Sequence, residues 1–340
     1  MPILRTGKVP LETLKKFVFP YLGSLDSEVI HGPGVGRDAA LVKIGRNVVV
    51  ASTDPITGAI QNIGAYTIQV CANDIATFGV RPRWFLVTIL LPENSEETVL
   101  HEIMTSMHSA AESLHVKIIG GHTEVTPDLA RPILVGFMLG ITTQDSYVTS
   151  EGAQPGNKLI LTKGVGIEGT SILATERAED LCTQLDNQLV KNAKKFINQI
   201  SVVPEALIAM ETGGVTAMHD PTEGGIANGL HELAEASRVG FRINRDALVI
   251  HKETREICRI LDTNPLNLIA SGAMLISVKG NKANQVLEKL QQKEIPAAII
   301  GETVKDISIR NIVEPDGNET LLVQPIEDAL WTALKKPVPK

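Results

Sequence analysis

Cysteine, positive charge and long apolar runs are all in short supply in this chain. Three cysteines, Cys71, Cys182 and Cys258, lie far apart in 340 residues. That is an odd number at no ligand-like spacing, which excludes a disulfide framework and a zinc site and predicts reduced packing thiols in a cytoplasmic protein. No apolar run approaches the ~20 residues needed to span a bilayer, so no membrane role is expected. The opening Met-Pro-Ile-Leu-Arg lacks the apolar core of a signal peptide. Lys and Arg number 32 against 39 Asp and Glu, a net charge of −7, which argues against nucleic acid as a partner. An acidic chain can still hold a nucleotide when a divalent metal supplies the positive charge. There is no tandem repeat and no low-complexity tract.

What is present is a soluble globular composition, 43% hydrophobic and 21% charged, at a length that suggests two domains with proper cores. The most informative stretch is Val70 to Gly79. It reads as the end of a helix closed by Gly79 at C′, yet it carries Asn73 and Asp74 among apolar neighbours. A carboxylate on such a face is costly to bury unless a cation or strong donors meet it.

Around it the pattern is α+β. A helix is expected over residues 10 to 22. The glycine-rich His31-Gly-Pro-Gly-Val-Gly36 turn runs into a strand, and its spacing is not that of a Walker A loop. Strand 47–51 leads to Ser52-Thr53-Asp54, where Pro55 is expected to stop it and leave Asp54 at the strand end. Strand 84–91, a helix with core face Val99, Ile103, Met107, Ala110 and Leu114, and strand 116–119 follow. Gly120-Gly-His-Thr-Glu124 reads as a loop of small residues and acceptors, before a strand over 132–142. His101, His108 and His115 recur two turns apart, beyond a shared metal, and read as a solvent row.

Pattern is lost near Ala153-Gln-Pro-Gly-Asn157, giving domains 1–153 and 154–330 and a tail 331–340, frayed over Lys335–Lys340. In the second half, Lys163-Gly-Val-Gly-Ile-Glu-Gly-Thr170 is either an anion-binding helix start or a tight turn. Asp220-Pro-Thr-Glu-Gly-Gly225 fits a helix start with Asp220 as N-cap and Pro221 at N1. Gly224 and Gly225 inside that helix would cost about 1 kcal/mol each against alanine, so another backbone or a ligand is expected to approach them. Helices at 252–260 and 282–292 and strands at 241–245, 273–278 and 297–301 complete this half. Arg5-Thr-Gly-Lys8 reads either as a tail or as a phosphate contact.

Taken together, Gly36-Arg-Asp-Ala-Ala40, Ser52-Thr-Asp54, Asn73-Asp-Ile-Ala76 with Gly79-Val-Arg-Pro82, Gly121-His-Thr-Glu124 and Asp220-Pro-Thr-Glu-Gly-Gly225 resemble, in order, the motifs of a PurM-type ATP-binding superfamily. It includes aminoimidazole ribonucleotide synthetase, selenophosphate synthetase, thiamine-monophosphate kinase and the HypE-like proteins of hydrogenase maturation. The resemblance implies two α+β domains, PurM-like at both ends, with a homodimer formed through the sheet of the first. It implies ATP and Mg²⁺ as cofactors, with Asp38, Asp54 and Asp74 as metal ligands. By the same transfer Lys8, Arg37, Thr53, Asn73, Gly121, Thr123, Glu124, Asp220, Thr222, Gly224 and Gly225 would contact ATP or its phosphates.

The chemistry implied is activation of a carbonyl-type oxygen by phosphoryl transfer, on a small-molecule or protein substrate. Two departures matter. Arg37 and His122 stand where the family carries Asp. No cysteine follows Cys258, so a reaction on a thiol of the chain's own tail is not expected; nor is selenophosphate chemistry, for want of a reactive cysteine near the start. Alternative expectations are a non-catalytic nucleotide-binding factor in metalloenzyme maturation and a thiamine-monophosphate-kinase-like kinase.

Overall fold

The computed structural model describes residues 4, 7, 9–24, 26–34, 36–57 and 62–337. They form two compact units, each built on its own sheet: one of Ser27–Gly32 with Asp38–Tyr147, the other of the described residues within 1–26, 33–37 and 148–340. The first helix, α1 (Leu11–Phe17), belongs to the latter unit and is shorter than its apolar spacing suggests. Pro20 lacks the N–H that another helical turn would need, and the chain passes into a 3₁₀ turn over Phe19–Tyr21.

The first sheet consists of β1 (Val29–His31), β2 (Ala40–Ile44), β3 (Asn47–Ile56), β4 (Pro82–Pro92), β5 (Lys117–Thr126) and β6 (Ile133–Thr143), in the order β1-β2-β3-β6-β4-β5. All neighbours are antiparallel except β4 and β5, whose parallel pairing requires a crossover. That crossover contains α3 (Glu97–Ser113), preceded in the chain by α2 (Ile63–Ala76). Alternation fixes the faces: Val48, Val50 and Ser52 of β3, Phe85, Val87 and Ile89 of β4, and Leu134 and Met138 of β6 are buried. Helix α2 is apolar on nearly every side and correspondingly buried, as expected of an interior helix. It ends at the C-cap Thr77, so Gly79 (φ 71°) closes a turn two residues further on and is not C′. In α3, Ile103, Met107 and Ala110 are buried, and His101, His108 and His115 are exposed.

Two strands outrun their sequence signals. Strand β3 continues through Pro55 to Ile56. Its pairing with β2 spans Asn47–Ala51 and ends there, so on that side Ser52–Ile56 is an edge, where a missing N–H is tolerated. Strand β5 runs straight through Gly120–Glu124, paired with Leu86–Leu90 of β4, so the expected loop is strand. As an edge strand exposed along nearly its whole length, it has little core-facing pattern to reveal it.

The second sheet has seven strands: β7 (Lys158–Thr162), β8 (Val215–His219), β9 (Gly240–Asn244), β10 (Leu275–Val278), β11 (Ala297–Val304), β12 (Arg310–Val313) and β13 (Glu319–Leu321), ordered β13-β12-β9-β11-β7-β10-β8. Only β12 and β9 are parallel. Besides α1, the helices of this unit are α4 (Ile167–Glu176), α5 (Ala178–Leu181), α6 (Asn187–Lys194), α7 (Val203–Thr212), α8 (Gly225–Ser237), α9 (Lys252–Ile260), α10 (Ala283–Gln292) and α11 (Ala329–Ala333). Helix α8 buries Ile226, Leu230 and Leu233 in a core with Leu159, Leu161, Phe241 and Leu275 from the sheet. At roughly 1.5–3 kcal/mol per buried large apolar side chain, this layer is what holds the start of α8 against the sheet. A satellite core joins Leu173 of α4, Val190 of α6, Ile257 of α9 and Leu330 of α11. The α+β architecture expected from the sequence is therefore present.

Candidate functional site

In the first unit Asp54 and Asp74 stand on the two elements that meet where β3 packs against α2. Asp54 shares the alternating face of Val50 and Ser52 and is half-buried. Ser52 Oγ donates to the Cys71 carbonyl at 3.3 Å. Burial pushes the Cys71 thiol well up from its ordinary value, helped by the Asp54 charge, and the Asp54 backbone reaches the thiol. Asp54 therefore lies against α2 at Cys71. Asp74, three residues on, shares that helix face and is 8% exposed; Asn73 is fully buried.

The sheet is shaped for this approach. Gly136 on β6 is the register partner of Asp54, and a Cβ there would lie 2.5 Å from Cys71 Sγ and 2.8 Å from the Phe85 ring. Thr53, on the opposite face, donates to the Gly136 carbonyl at 2.9 Å. Asp38 precedes β2 by two residues, ahead of a bend at Ala39, and lies outside the paired stretch of β2 and β3. Within this unit, among the described residues, no three ligand atoms of His, Cys, Asp or Glu come within 4.8 Å of one another.

Gly121, Thr123 and Glu124 are placed elsewhere. Gly121 is level with Asp54 along the row Asp54–Gly136–Val87–Gly121. Three strand spacings of about 4.8 Å put it about 14 Å away. Gly121 has no room for a side chain because the Val87 carbonyl lies against it. The Glu124 carboxyl is held below its ordinary value by His122 first and Thr126 second, with His122 Nε2 at 2.9 Å and Thr126 Oγ1 at 3.0 Å. His122, standing where the resembling family has Asp, is thus a partner for Glu124.

In the second unit the Asp220–Gly225 segment is a turn between β8 and α8. Asp220 is 3% exposed. Helix α8 starts only at Gly225, after the N-cap Gly224, not at Pro221. Gly224 (φ 80°) and Gly225 (φ 63°) are left-handed, a conformation that the interior of a right-handed helix excludes and that glycine supplies at its entry. A Cβ on Gly225 would come within 2.5–2.6 Å of the Leu268 and Leu266 carbonyls. Another backbone accounts for this glycine. The Gly224 N–H donates to Asp328 Oδ2 at 2.6 Å, and the Thr222 carbonyl accepts from the Gly225 and Ala270 N–H groups.

Arg37 donates from Nε and Nη2 to Glu151 Oε1 at 2.8 and 2.6 Å. Lys8 lies outside the described residues. The Lys163–Thr170 stretch begins as a tight turn, with Lys163 (φ 57°) and Gly166 (φ 64°) left-handed, that leads directly into the start of α4 at Ile167. The three Lys163 ammonium protons meet Gln199 O, Ser201 O and Glu205 Oε1 at 2.7–2.8 Å. Burial lowers the Lys163 pKa against the opposing pull of Glu205.

Three features carried no legible signal. His219, just before Asp220, is buried and bonded through Nε2 to Glu232 at 3.0 Å. Glu168 is pushed up to about 7, first by burial, with Asp328 and Glu223 adding repulsion against a Ser271 hydrogen bond. Asp328 is pushed up to about 6, again chiefly by burial, although Leu330, Gly224 and Ile269 N–H groups stabilise its charged form. The expected tail is partly packed: Arg177 Nη1 holds the Ala333 and Leu334 carbonyls, and Lys336 Nζ bonds Asp262; 338–340 lie outside the described residues.

Residues 36–142 match the family model for the N-terminal domain of AIR synthase related proteins, and residues 154–313 match that for the C-terminal domain. A Methanocaldococcus jannaschii protein named for hydrogenase expression and formation is 28% identical over 312 residues, covering 88% of this chain and 89% of that protein. The carbamoyl dehydratase HypE of Rhizobium leguminosarum bv. viciae is 28% identical over 280 residues, 80% of this chain and 78% of its own. A crystal structure of hydrogenase maturation protein HypE in complex with ATP superposes with TM-score 0.68 at 22% identity over 93% of each chain, a likeness of fold. The chain belongs to the AIR synthase related family, with HypE-type proteins among its relatives.

Proposed function

We propose that this member of the AIR synthase related family binds ATP with Mg²⁺ and activates a carbonyl-type oxygen of an acceptor by phosphoryl transfer. The observation that carries the reading is the meeting of Asp54 with the Cys71–Asp74 turn of α2, in a chain whose relatives include carbamoyl dehydratases. Asp38, Asp54 and Asp74 offer the hard carboxylate oxygens that Mg²⁺ prefers, and such an ion needs only one or two of them beside its waters. When bound, the metal would neutralise charge developing on the phosphates, which with positioning supplies most of the rate in phosphoryl transfer. The chain's own part is to hold these carboxylates rigidly. Asp74 is fixed on a buried helix, and Asp54 is fixed by ten residues of continuous pairing between β3 and β6. Asp220 and Thr222 stand at the second unit's turn as candidate phosphate contacts. Arg37 is tied to Glu151 and is left out of that set.

Thr123 and Glu124 are too far along the sheet to serve Asp54 in the same chain. We propose that they serve through a homodimer. Its support is the sheet face opposite α2 and α3, where Val49, Leu86, Val135, Leu139 and Ile141 are only partly buried and Phe137 is 38% exposed. An apolar sheet face of this kind calls for a covering layer. Phe137→Glu should give monomers by sedimentation velocity where the parent chain gives dimers; parent monomers at micromolar concentration would remove the dimer.

Neither Cys71 nor Cys258 presents a usable thiolate, since both are buried and burial lifts both thiols, Cys258 to about 12. Cys182 is exposed, and a Cys182→Ser variant that keeps full activity is expected, because the acceptor we propose is external, a small molecule or another protein's carbamoyl or carboxyl group. The test is phosphate release from ATP against a panel including a carbamoylated cysteine peptide, carboxylates and thiamine monophosphate. Stimulation by a carbamoyl or carboxyl acceptor is expected. Stimulation by thiamine monophosphate alone would mark a kinase, and none at all despite tight Mg-ATP binding would mark an accessory factor.

A further inference from the structure

The second unit carries a cleft of about 600 Å³ between Pro33, Gly34 and Arg37, the C-terminal end of α8 and the turn before β12. Its charged lining is Arg37, Arg238 and Arg310 against Glu151 and Glu235, with Ile307 as an apolar wall. Arg37 is satisfied by Glu151. The other two guanidiniums are not satisfied in this way: among the described residues neither Arg238 nor Arg310 has a carboxylate within 4.0 Å. Arg238 is the left-handed C-cap of α8 (φ 54°) and is exposed.

Arg310 is half-buried over the Phe241 ring, 5.4 Å from its centroid. It spends Nη1 on the Val239 and Ile309 carbonyls at 2.6 and 3.2 Å, leaving Nε and Nη2 uncommitted. Burial lowers its pKa in spite of nearby Glu235. A guanidinium held partly out of water without a carboxylate partner is costly. The planar fork it presents matches phosphate and carboxylate oxygens. The carbonyl end of α8 works against an anion, and a pair of guanidiniums outweighs that partial charge.

We propose that this cleft is a ligand site separate from the candidate ATP site. Its ligand is a small oxyanion-bearing molecule whose phosphate or carboxylate lies between Arg238 and Arg310 and whose body rests on Ile307. A volume of about 600 Å³ falls within the range of small-molecule sites.

The test is isothermal calorimetry of the full chain with inorganic phosphate, pyrophosphate and succinate, the last separating carboxylate from phosphate recognition. At least one probe is expected to bind the parent chain, to bind Arg238→Glu at least about tenfold more weakly, and to bind Asp74→Asn unchanged. Mg-ATP affinity should be the same in Arg238→Glu as in the parent. Arg310→Gln should repeat the loss; should that variant fail to fold, Arg238→Glu decides alone. Three results overturn the proposal: no probe binds the parent chain at about 10 mM, a level that would detect an affinity of roughly 3 kcal/mol; binding survives Arg238→Glu; or binding disappears in Asp74→Asn, which would assign it to the nucleotide site.

Discussion

Gly136→Ala tests whether the packing of α2 on β6 sets the carboxylate geometry. The added methyl would sit 2.5 Å from Cys71 Sγ and 2.8 and 2.9 Å from two Phe85 ring atoms, about 1 Å inside ordinary van der Waals separation. Cys71 and Phe85 are both fully buried, so neither can swing aside, and α2 must lift from the sheet. Overpacking of this kind costs typically 1–3 kcal/mol, which for a unit of this size corresponds to a fall in Tm of roughly 4–12 °C.

Because Asp54 faces Gly136 in the register and meets α2 at Cys71, the same displacement should also weaken Mg-ATP binding, by about tenfold for roughly 1.4 kcal/mol of lost alignment. Adding Cys71→Ala removes one of the two clashes and should recover part of both losses. The assays are calorimetric unfolding and Mg-ATP titration of the single and double variants. Unchanged stability in Gly136→Ala would refute the packing. Lost stability with intact ATP affinity would refute the coupling between packing and site.

Two further predictions concern the second unit. Glu205→Ala leaves the Lys163 ammonium buried with only carbonyl acceptors, since both side chains of the pair are nearly inaccessible (9% and 2%). Denaturant unfolding should show a loss of about 3–5 kcal/mol, and a Lys163→Met/Glu205→Leu double variant should regain most of it; a silent single variant would contradict the buried pair. Glu168 has a folded-state value of about 7 against an ordinary 4.5, so the folded chain keeps its proton longer than the unfolded chain. The sign follows: no cost below pH 4.5, a progressive loss of stability as pH rises from 4.5 to 7, and the full cost, of order 3 kcal/mol, above 7. Glu168→Gln should therefore gain stability over the parent as pH rises through that window, and a pH-independent difference would contradict the burial of an ionising carboxyl.

Much of the fold was legible because apolar periodicity reports burial. Helices 252–260 and 282–292 are found within a residue of expectation, at Lys252–Ile260 and Ala283–Gln292. Asp74 was legible by its misfit, a carboxylate on an apolar helix. Illegibility has specific causes. Strand β5 looked like a loop because an edge strand exposed on both faces needs no apolar alternation, and its Gly121 is required by the approach of the Val87 carbonyl. The start of α8 was set too early because an Asp-Pro N-cap signal is local, whereas the Leu266–Leu268 backbone that forces Gly225 into a left-handed turn comes from forty residues away. Glu168 and Asp328 are 160 positions apart, and only the fold brings them into electrostatic reach.

The measurement that bears most directly on the central claim is calorimetric titration of ATP, with and without Mg²⁺, into the parent chain and into Asp54→Asn and Asp74→Asn. The account predicts Mg²⁺-dependent ATP binding by the parent and a loss of at least about tenfold, roughly 1.4 kcal/mol, in each variant, with unfolding profiles that remain cooperative. ATP affinity that is independent of Mg²⁺ and undiminished in both variants would contradict it.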